Sequence, residues 1–153
     1  MGIDQDIRQN KFRNEYQKAG LNLMYTYGWV MERIKEVFAS EDITPQQFNI
    51  LRILRGSHPQ PLSTLQIRER MLDRMSDTSR IVDRLIAKGL VKKAVCKTDR
   101  RLVDVIISDK GKKLLERLDK RQDELDNIVG NLSEKEAASL SILLDKLRGS
   151  DNS

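Results

Sequence analysis

Within residues 63–111 the chain sets out cationic side chains at spacings that suit contact with a polyanion. Asp77, Arg80, Asp83, Arg84 and Lys88 share one helical face, and Thr78, Ile81, Val82, Leu85 and Ile86 share the opposite, apolar one. A second cationic group, Lys97, Asp99, Arg100 and Arg101, lies between two short β-branched runs, 90–95 and 103–107, and reads as the charged tip of a hairpin. A guanidinium fork clamps a phosphate or enters a minor groove, so a cationic tip beside a cationic helix face offers two contact surfaces. Residues 66–101 hold 11 Lys and Arg against 5 Asp and Glu, a net of +6, while the whole chain of 153 residues nets +5. The basic excess is therefore local. It marks a polyanion partner for this segment rather than a general surface property.

The elements that must position these groups follow from caps and periodicity. Ser76 can cap a helix over 76–88, Asp77 then sits in its first turn, and Gly89 supplies the left-handed position that ends it. Upstream, Ser63 and Gln66 form a capping box that opens a shorter helix, with Leu65, Ile67 and Met71 available to its buried side. The connection 72–75 between the two helices suits a helix-turn-helix. Helix, turn, helix, strand, basic tip and strand in that order make a winged helix-turn-helix.

The rest of the chain is helical. A long first helix over 10–39 carries Phe12, Tyr16, Ala19, Leu23, Tyr27, Val30, Ile34 and Val37 on one stripe and Leu21, Tyr25 and Trp29 on a second row. Two apolar faces exceed what one small core requires, which points to a second subunit. Thr44, Pro45 and Gln47 open the next helix with a capping box and an N1 proline, and Phe48, Ile50, Leu51 and Leu54 go to the core. After the hairpin, Ser108 caps a helix reaching about Gly130, with Leu114, Leu115, Leu118, Leu125, Ile128 and Val129 apolar. Ser133 and Glu136 open a last helix with a stripe of Ala137, Leu140, Leu143, Leu144 and Leu147. The expected architecture is mainly α with a small β-hairpin wing. Residues 1–153 form a single chain in which 44–107 make the winged helix-turn-helix, and 8–39 with 109–148 form a dimerisation module. The competing arrangement packs every helix within one monomer.

Several classes are excluded. One Cys permits no intrachain disulfide, and with one His it cannot supply a typical zinc site, so no cofactor or metal is expected. No Gly-rich phosphate loop or nucleophile–base set can be assembled, which argues against an enzyme. With no apolar run near 18 residues and a polar N-terminus, a cytoplasmic protein without a membrane partner is expected.

The runs Asp83-Arg84-Leu85, Lys88-Gly89-Leu90-Val91, Asp99-Arg100-Arg101 and Ser108-Asp109-Lys110-Gly111 resemble the MarR family of multiple-antibiotic-resistance-type regulators, and the order of elements agrees over nearly the whole chain. The resemblance implies a homodimeric transcription regulator, most often a repressor, on pseudo-palindromic double-stranded DNA that is released by a small ligand or an oxidant. It puts Arg74, Ser76, Asp77, Ser79, Arg80 and Arg84 at or beside the major groove. Arg101 becomes the wing arginine of the minor groove and Asp99 the carboxylate that holds it. Lys97 and Arg100 then touch phosphates.

The oxidant-sensing branch carries its reactive Cys near the start of the first long helix. This chain has none there, and Cys96 lies at the edge of the wing. A pocket for a small aromatic effector would lie between the dimer helices and the winged part, where Tyr25, Tyr27, Trp29 and His58 are candidates. The same aromatics suit core or dimer contacts equally. The alternative function, a winged-helix module for protein or RNA contact without ligand response, predicts a neutral face or exposed stacking aromatics on the second helix. The sequence there is Arg-rich and lacks aromatics.

Overall fold

The computed structural model describes residues 2–95 and 103–149. A short helix α1 (Ile3–Asp6) precedes the long α2 (Glu15–Phe38), which ends in a 3-10 turn, Ala39–Glu41. Then follow α3 (Pro45–Ser57), β1 (Leu62–Ser63), α4 (Thr64–Arg70), α5 (Thr78–Ala87), β2 (Val91–Val95) and β3 (Val103–Ile107). The chain closes with α6 (Asp109–Asp119), α7 (Gln122–Asp126), a 3-10 turn Asn127–Val129, and α8 (Glu134–Leu147). β3 lies between β1 and β2, antiparallel to both, with Val105 opposite Leu62 on one side and Lys93 on the other. This mostly helical fold with one small sheet is the expected winged helix.

The core is filled by Ile50, Leu51 and Leu54 of α3, Ile67 of α4, Leu85 of α5, Val105 and Ile107 of β3, and Leu115 of α6. The capping boxes expected at Thr44 and Gln47, Ser63 and Gln66, and Ser133 and Glu136 all form. α5 ends in a Schellman motif, in which Gly89 takes φ +75° and the Gly89 and Leu90 amides donate to the Ile86 and Leu85 carbonyls at 2.9 and 3.0 Å.

The run 108–111 gains its meaning here. The Ser108 hydroxyl donates to the Gly89 carbonyl at 2.6 Å and accepts the Gly111 amide at 3.1 Å, while Lys110 Nζ caps the Lys88 carbonyl at 2.9 Å. A Cβ at Gly111 would collide with the Leu90 carbonyl oxygen and stand 2.8 Å from Ile107 Cγ1. One tetrapeptide thus locks the end of the wing onto the end of α5.

Several boundaries differ from the expectations. α2 starts at Glu15 rather than near residue 10, because the Asn14 side chain accepts the Gln17 amide and fixes the start there, which leaves Phe12 outside the helix. α5 starts at Thr78 and its cap is Asp77, not Ser76. The Ser76 hydroxyl is already spent on the Asp73 carbonyl at 2.7 Å, so the connection from α4 spans 71–77. Leu65 is 64% exposed: Ile67 and Met71, four residues apart, take the buried side of α4, and Leu65 falls opposite them. The helix expected from Ser108 to Gly130 is broken after Asp119, where the Arg121 guanidinium turns onto the end of α2 and donates to Val37 O and Ser40 Oγ at 2.9 and 2.6 Å.

Leu114, Leu115 and Leu118 of α6 and Val37 and Phe38 of α2 pack into the same hydrophobic core as residues of α3, α4, α5 and the sheet. No helix among the described residues is long and apolar enough to cross a membrane.

Candidate nucleic-acid interface

α5 buries Thr78, Val82 and Leu85 and exposes Ser79, Arg80, Asp83 and Arg84. Its orientation is set by α4 on one side and by the Gly89–Ser108 lock on the other. Arg74 projects from the connection into α5. Arg74, Arg80 and Arg84 make no ion pair or side-chain hydrogen bond among the described residues.

Several arginines elsewhere are neutralised by carboxylates. Arg55 of α3 holds Asp119 through both carboxylate oxygens at 2.7 and 3.1 Å, and Arg117 of α6 holds Glu41 likewise at 2.9 and 2.8 Å. Arg121 pairs with Glu124, and Arg148 pairs with Asp145. The hydrogen bond from Arg117, outweighing partial burial, holds the Glu41 carboxyl below its usual range, and the charge of Arg121 acts in the same direction. The Arg121 hydrogen bond lowers Glu124 similarly.

Of the residues expected at DNA, Arg74, Ser79, Arg80 and Arg84 share the exposed side around α5. Ser76 and Asp77 do structural work there: Ser76 closes the preceding turn, and Asp77 caps the helix by accepting the Arg80 amide at 3.2 Å. Lys97, Asp99, Arg100 and Arg101, with Cys96, lie outside the described residues. β2 and β3 carry the chain toward them, pairing as far as Val95 and Val103.

Two cations on this side were not singled out by sequence. Arg68 is exposed on α4, where it lines a hollow with Asp77 and Ser79, and Lys93 is exposed on β2, where it lines another with Ser79 and Asp83. The signal available was the charge excess of 66–101, which includes both.

Of the four aromatic candidates for an effector pocket, one lines a cavity. Tyr27, Ile34 and Phe38 of α2 face Phe48, Asn49 and Arg52 of α3 across a space of about 350 Å³, closed by the start of the 71–77 connection and by Leu125. Tyr25 and Trp29 stand two residues from Tyr27 on either side, a step that turns them to the opposite side of the helix. Trp29 instead stacks with the Arg33 guanidinium, 3.5 Å from the ring centroid. His58 follows α3 on an exposed turn. The Asn49 carboxamide oxygen accepts the Leu72 amide at 2.8 Å, which ties the cavity wall to the connection that leads into α5.

Residues 41–102 match the model of the MarR family. A MarR transcription factor from Planctomyces limnophilus is 34% identical, with 88% of this chain and 98% of that one covered and a TM-score of 0.68. A mutant MarR from E. coli, solved in complex with operator DNA, is 24% identical over 90% of this chain and 99% of that one, with a TM-score of 0.78. Bordetella bronchiseptica BpsR, whose DNA binding is regulated by 6-hydroxynicotinic acid, is 22% identical over 85% and 98%, with a TM-score of 0.71. Among curated proteins no significant match to the sequence is found.

Proposed function

The chain belongs to the MarR family of winged-helix transcription regulators, and from that premise we propose that it acts as a homodimeric repressor of pseudo-palindromic operators, relieved by a small aromatic ligand. The observation that carries the DNA contact is the set of exposed cations around α5, Arg74, Arg80 and Arg84, which have no partner among the described residues, whereas Arg55, Arg117 and Arg121 are each held by a carboxylate. In this reading α5 enters the major groove, with Arg80, Arg84 and Ser79 facing base edges and Arg74 the adjoining backbone. Ser76 and Asp77 hold the start of the helix in register. The wing places Arg101 in the minor groove with Asp99 orienting it, and Lys97 and Arg100 meet phosphates.

The homodimer is supported by apolar side chains that the monomer leaves in water. Tyr16 of α2 is 89% exposed, and Ile142, Leu143 and Leu147 of α8 are each more than 60% exposed, a surface with no use in an isolated chain. Ligand release is supported by the cavity beside Tyr27. An occupant there presses on Asn49 and on the 71–77 connection, and so moves the base of α5. The relative regulated by 6-hydroxynicotinic acid supplies the class of effector to try first.

Selection of bound duplexes from a random pool, repeated with a panel of aromatic acids that includes 6-hydroxynicotinic acid, tests all three parts. We expect two-fold symmetric half-sites and at least one acid that weakens binding. Recovery of no preferred duplex would remove the operator claim, and indifference to every acid would remove the ligand claim alone.

A further inference from the structure

Of the charged residues whose spacing puts them on one face of α5, Lys88 alone is bonded to another helix or turn among the described residues. It is the C-cap of α5 and half-buried. Its ammonium donates to the Asp42 carbonyl and, at 3.3 Å, to Gln47 Oε1. Gln47 is 5% exposed, and the same oxygen accepts the Thr44 amide at 3.1 Å, so this acceptor is fixed by the capping box that starts α3.

Asp42 is fixed as well. It takes a left-handed φ of +53°, Ile43 after it is buried, and cations from α6 and α7 hold the residues before it. Arg117 grips the Glu41 carboxylate, and Arg121 donates to Ser40 Oγ and Val37 O. These long-range bonds satisfy carbonyls that the end of α2 leaves open. The turn between α2 and α3 is thus a pinned joint, to which α5 is hydrogen-bonded through Lys88. On its other side the joint continues into α2, which carries the exposed Tyr16 assigned above to the partner copy. Lys88 therefore links the helix that reads DNA to the end of a helix that sets the two-fold axis. One base pair occupies about 3.4 Å of duplex, so a shift of about 1.7 Å in each α5 puts the two half-sites a whole step out of register. Apolar packing is non-directional, whereas a charge-assisted hydrogen bond to a fixed carbonyl has a set length and angle.

We propose that Lys88 is a positioning residue that sets the separation of the two α5 helices in the dimer, and with it the half-site spacing the protein accepts. Its ammonium acts on the joint and touches no DNA. The inference rests on the DNA-binding homodimer proposed above and adds to it a residue that determines spacing rather than base identity.

Binding of the full-length protein to a series of duplexes tests this: the operator recovered by selection, and versions with one base pair inserted or deleted between the half-sites. Lys88→Met keeps the stem and removes the ammonium. It should narrow the preference for the parent spacing by about tenfold, as loss of one hydrogen bond from a charged group allows. Lys88→Arg should restore the preference, and Lys88→Gln, one bond shorter, should act as Lys88→Met does and serves in its place if that variant does not fold. The slope of log affinity against log salt should stay at the wild-type value, whereas a lost phosphate contact would lower it by about 0.9. Arg55→Ala, which breaks a pair outside the joint, should lose stability and keep the spacing preference. A folded Lys88→Met or Lys88→Gln protein with the wild-type preference overturns the proposal and leaves the operator reading standing, as does a lowered salt slope with the preference intact. A wild type that selects no two-fold half-sites overturns the reading on which the proposal rests, and the proposal with it.

Discussion

The winged body and the helices at its rear leave opposite kinds of side chain unsatisfied. In the winged body a core that includes Ile50, Leu51, Ile67 and Leu85 is closed away at 0% exposure, although Leu65, Leu72 and Met75 stay outside it, while Arg68, Arg70, Arg74, Arg80 and Arg84 stand exposed and unpaired among the described residues. At the rear the arrangement inverts. Arg117, Arg121 and Arg148 are each held by a carboxylate, whereas the leucines of α8 and the tyrosines of α2 face water. A crowd of like charges repels itself and an exposed apolar stripe invites association, so neither is explained by the stability of a lone chain. In the function proposed above each surface is completed from outside, one by a polyanion and the other by a second copy of the chain.

The strongest way to break this contrast is to charge the apolar surface. Leu143→Asp should convert the protein to a monomer in sedimentation and, by removing the second half-site contact, weaken operator binding by roughly 10²–10⁴-fold. A dimer that survives Leu143→Asp and Leu147→Asp together would mean that α8 does not form the interface.

Removing one front arginine comes next. Arg84→Ala should cost about 1–3 kcal/mol of operator affinity, and relax specificity at one symmetric position if it reads a base edge. Its thermal midpoint should stay at the wild-type value. A fall in stability matching the fall in affinity would move Arg84 into the same class as the rear arginines.

An arginine held by a carboxylate should show the reverse pattern. Arg55→Ala breaks a half-exposed bidentate pair with Asp119, for which about 0.2–1 kcal/mol of folding stability is expected. Operator affinity measured with folded protein should not change.

The smallest effect is on the acid side. Because Glu41 titrates below its ordinary 4.5 in the folded chain, its pair with Arg117 stabilises at pH above that value and loses this contribution as pH falls through the lower folded value. Glu41→Gln should therefore flatten the acid limb of stability against pH and leave DNA binding at neutral pH untouched. An unchanged acid limb would show that the pair is formed equally in the unfolded chain.

The parts legible in sequence were those governed by local rules. Capping boxes at Thr44, Ser63 and Ser133 formed as read, and Gly89 ended α5 as its position required, because each depends on residues within one turn. What eluded the sequence depended on competition between distant or equivalent groups. Ser76 and Asp77 are both good caps, and only the Asp73 carbonyl, by claiming Ser76, decides between them. The break after Asp119 depends on Val37 O and Ser40, more than 80 positions away, which no periodicity in the helix reveals. At the site, Arg80 and Arg84 were legible from their spacing opposite a buried stripe. Arg68 and Lys93 were not, because a seven-residue helix and a short strand have too little pattern to give each cation a face. The cavity held only Tyr27 of four named aromatics, since helix register separates it from Tyr25 and Trp29.

Hydroxyl-radical footprinting of the selected operator by the full-length protein tests the whole scheme most directly. Two protected patches related by two-fold symmetry are expected, with centres one helical turn, about 10 base pairs, or a multiple apart. Both should fade together in Arg84→Ala. A single asymmetric patch, or protection that persists in Arg80→Ala and Arg84→Ala alike, would contradict a symmetric dimer reading DNA through α5.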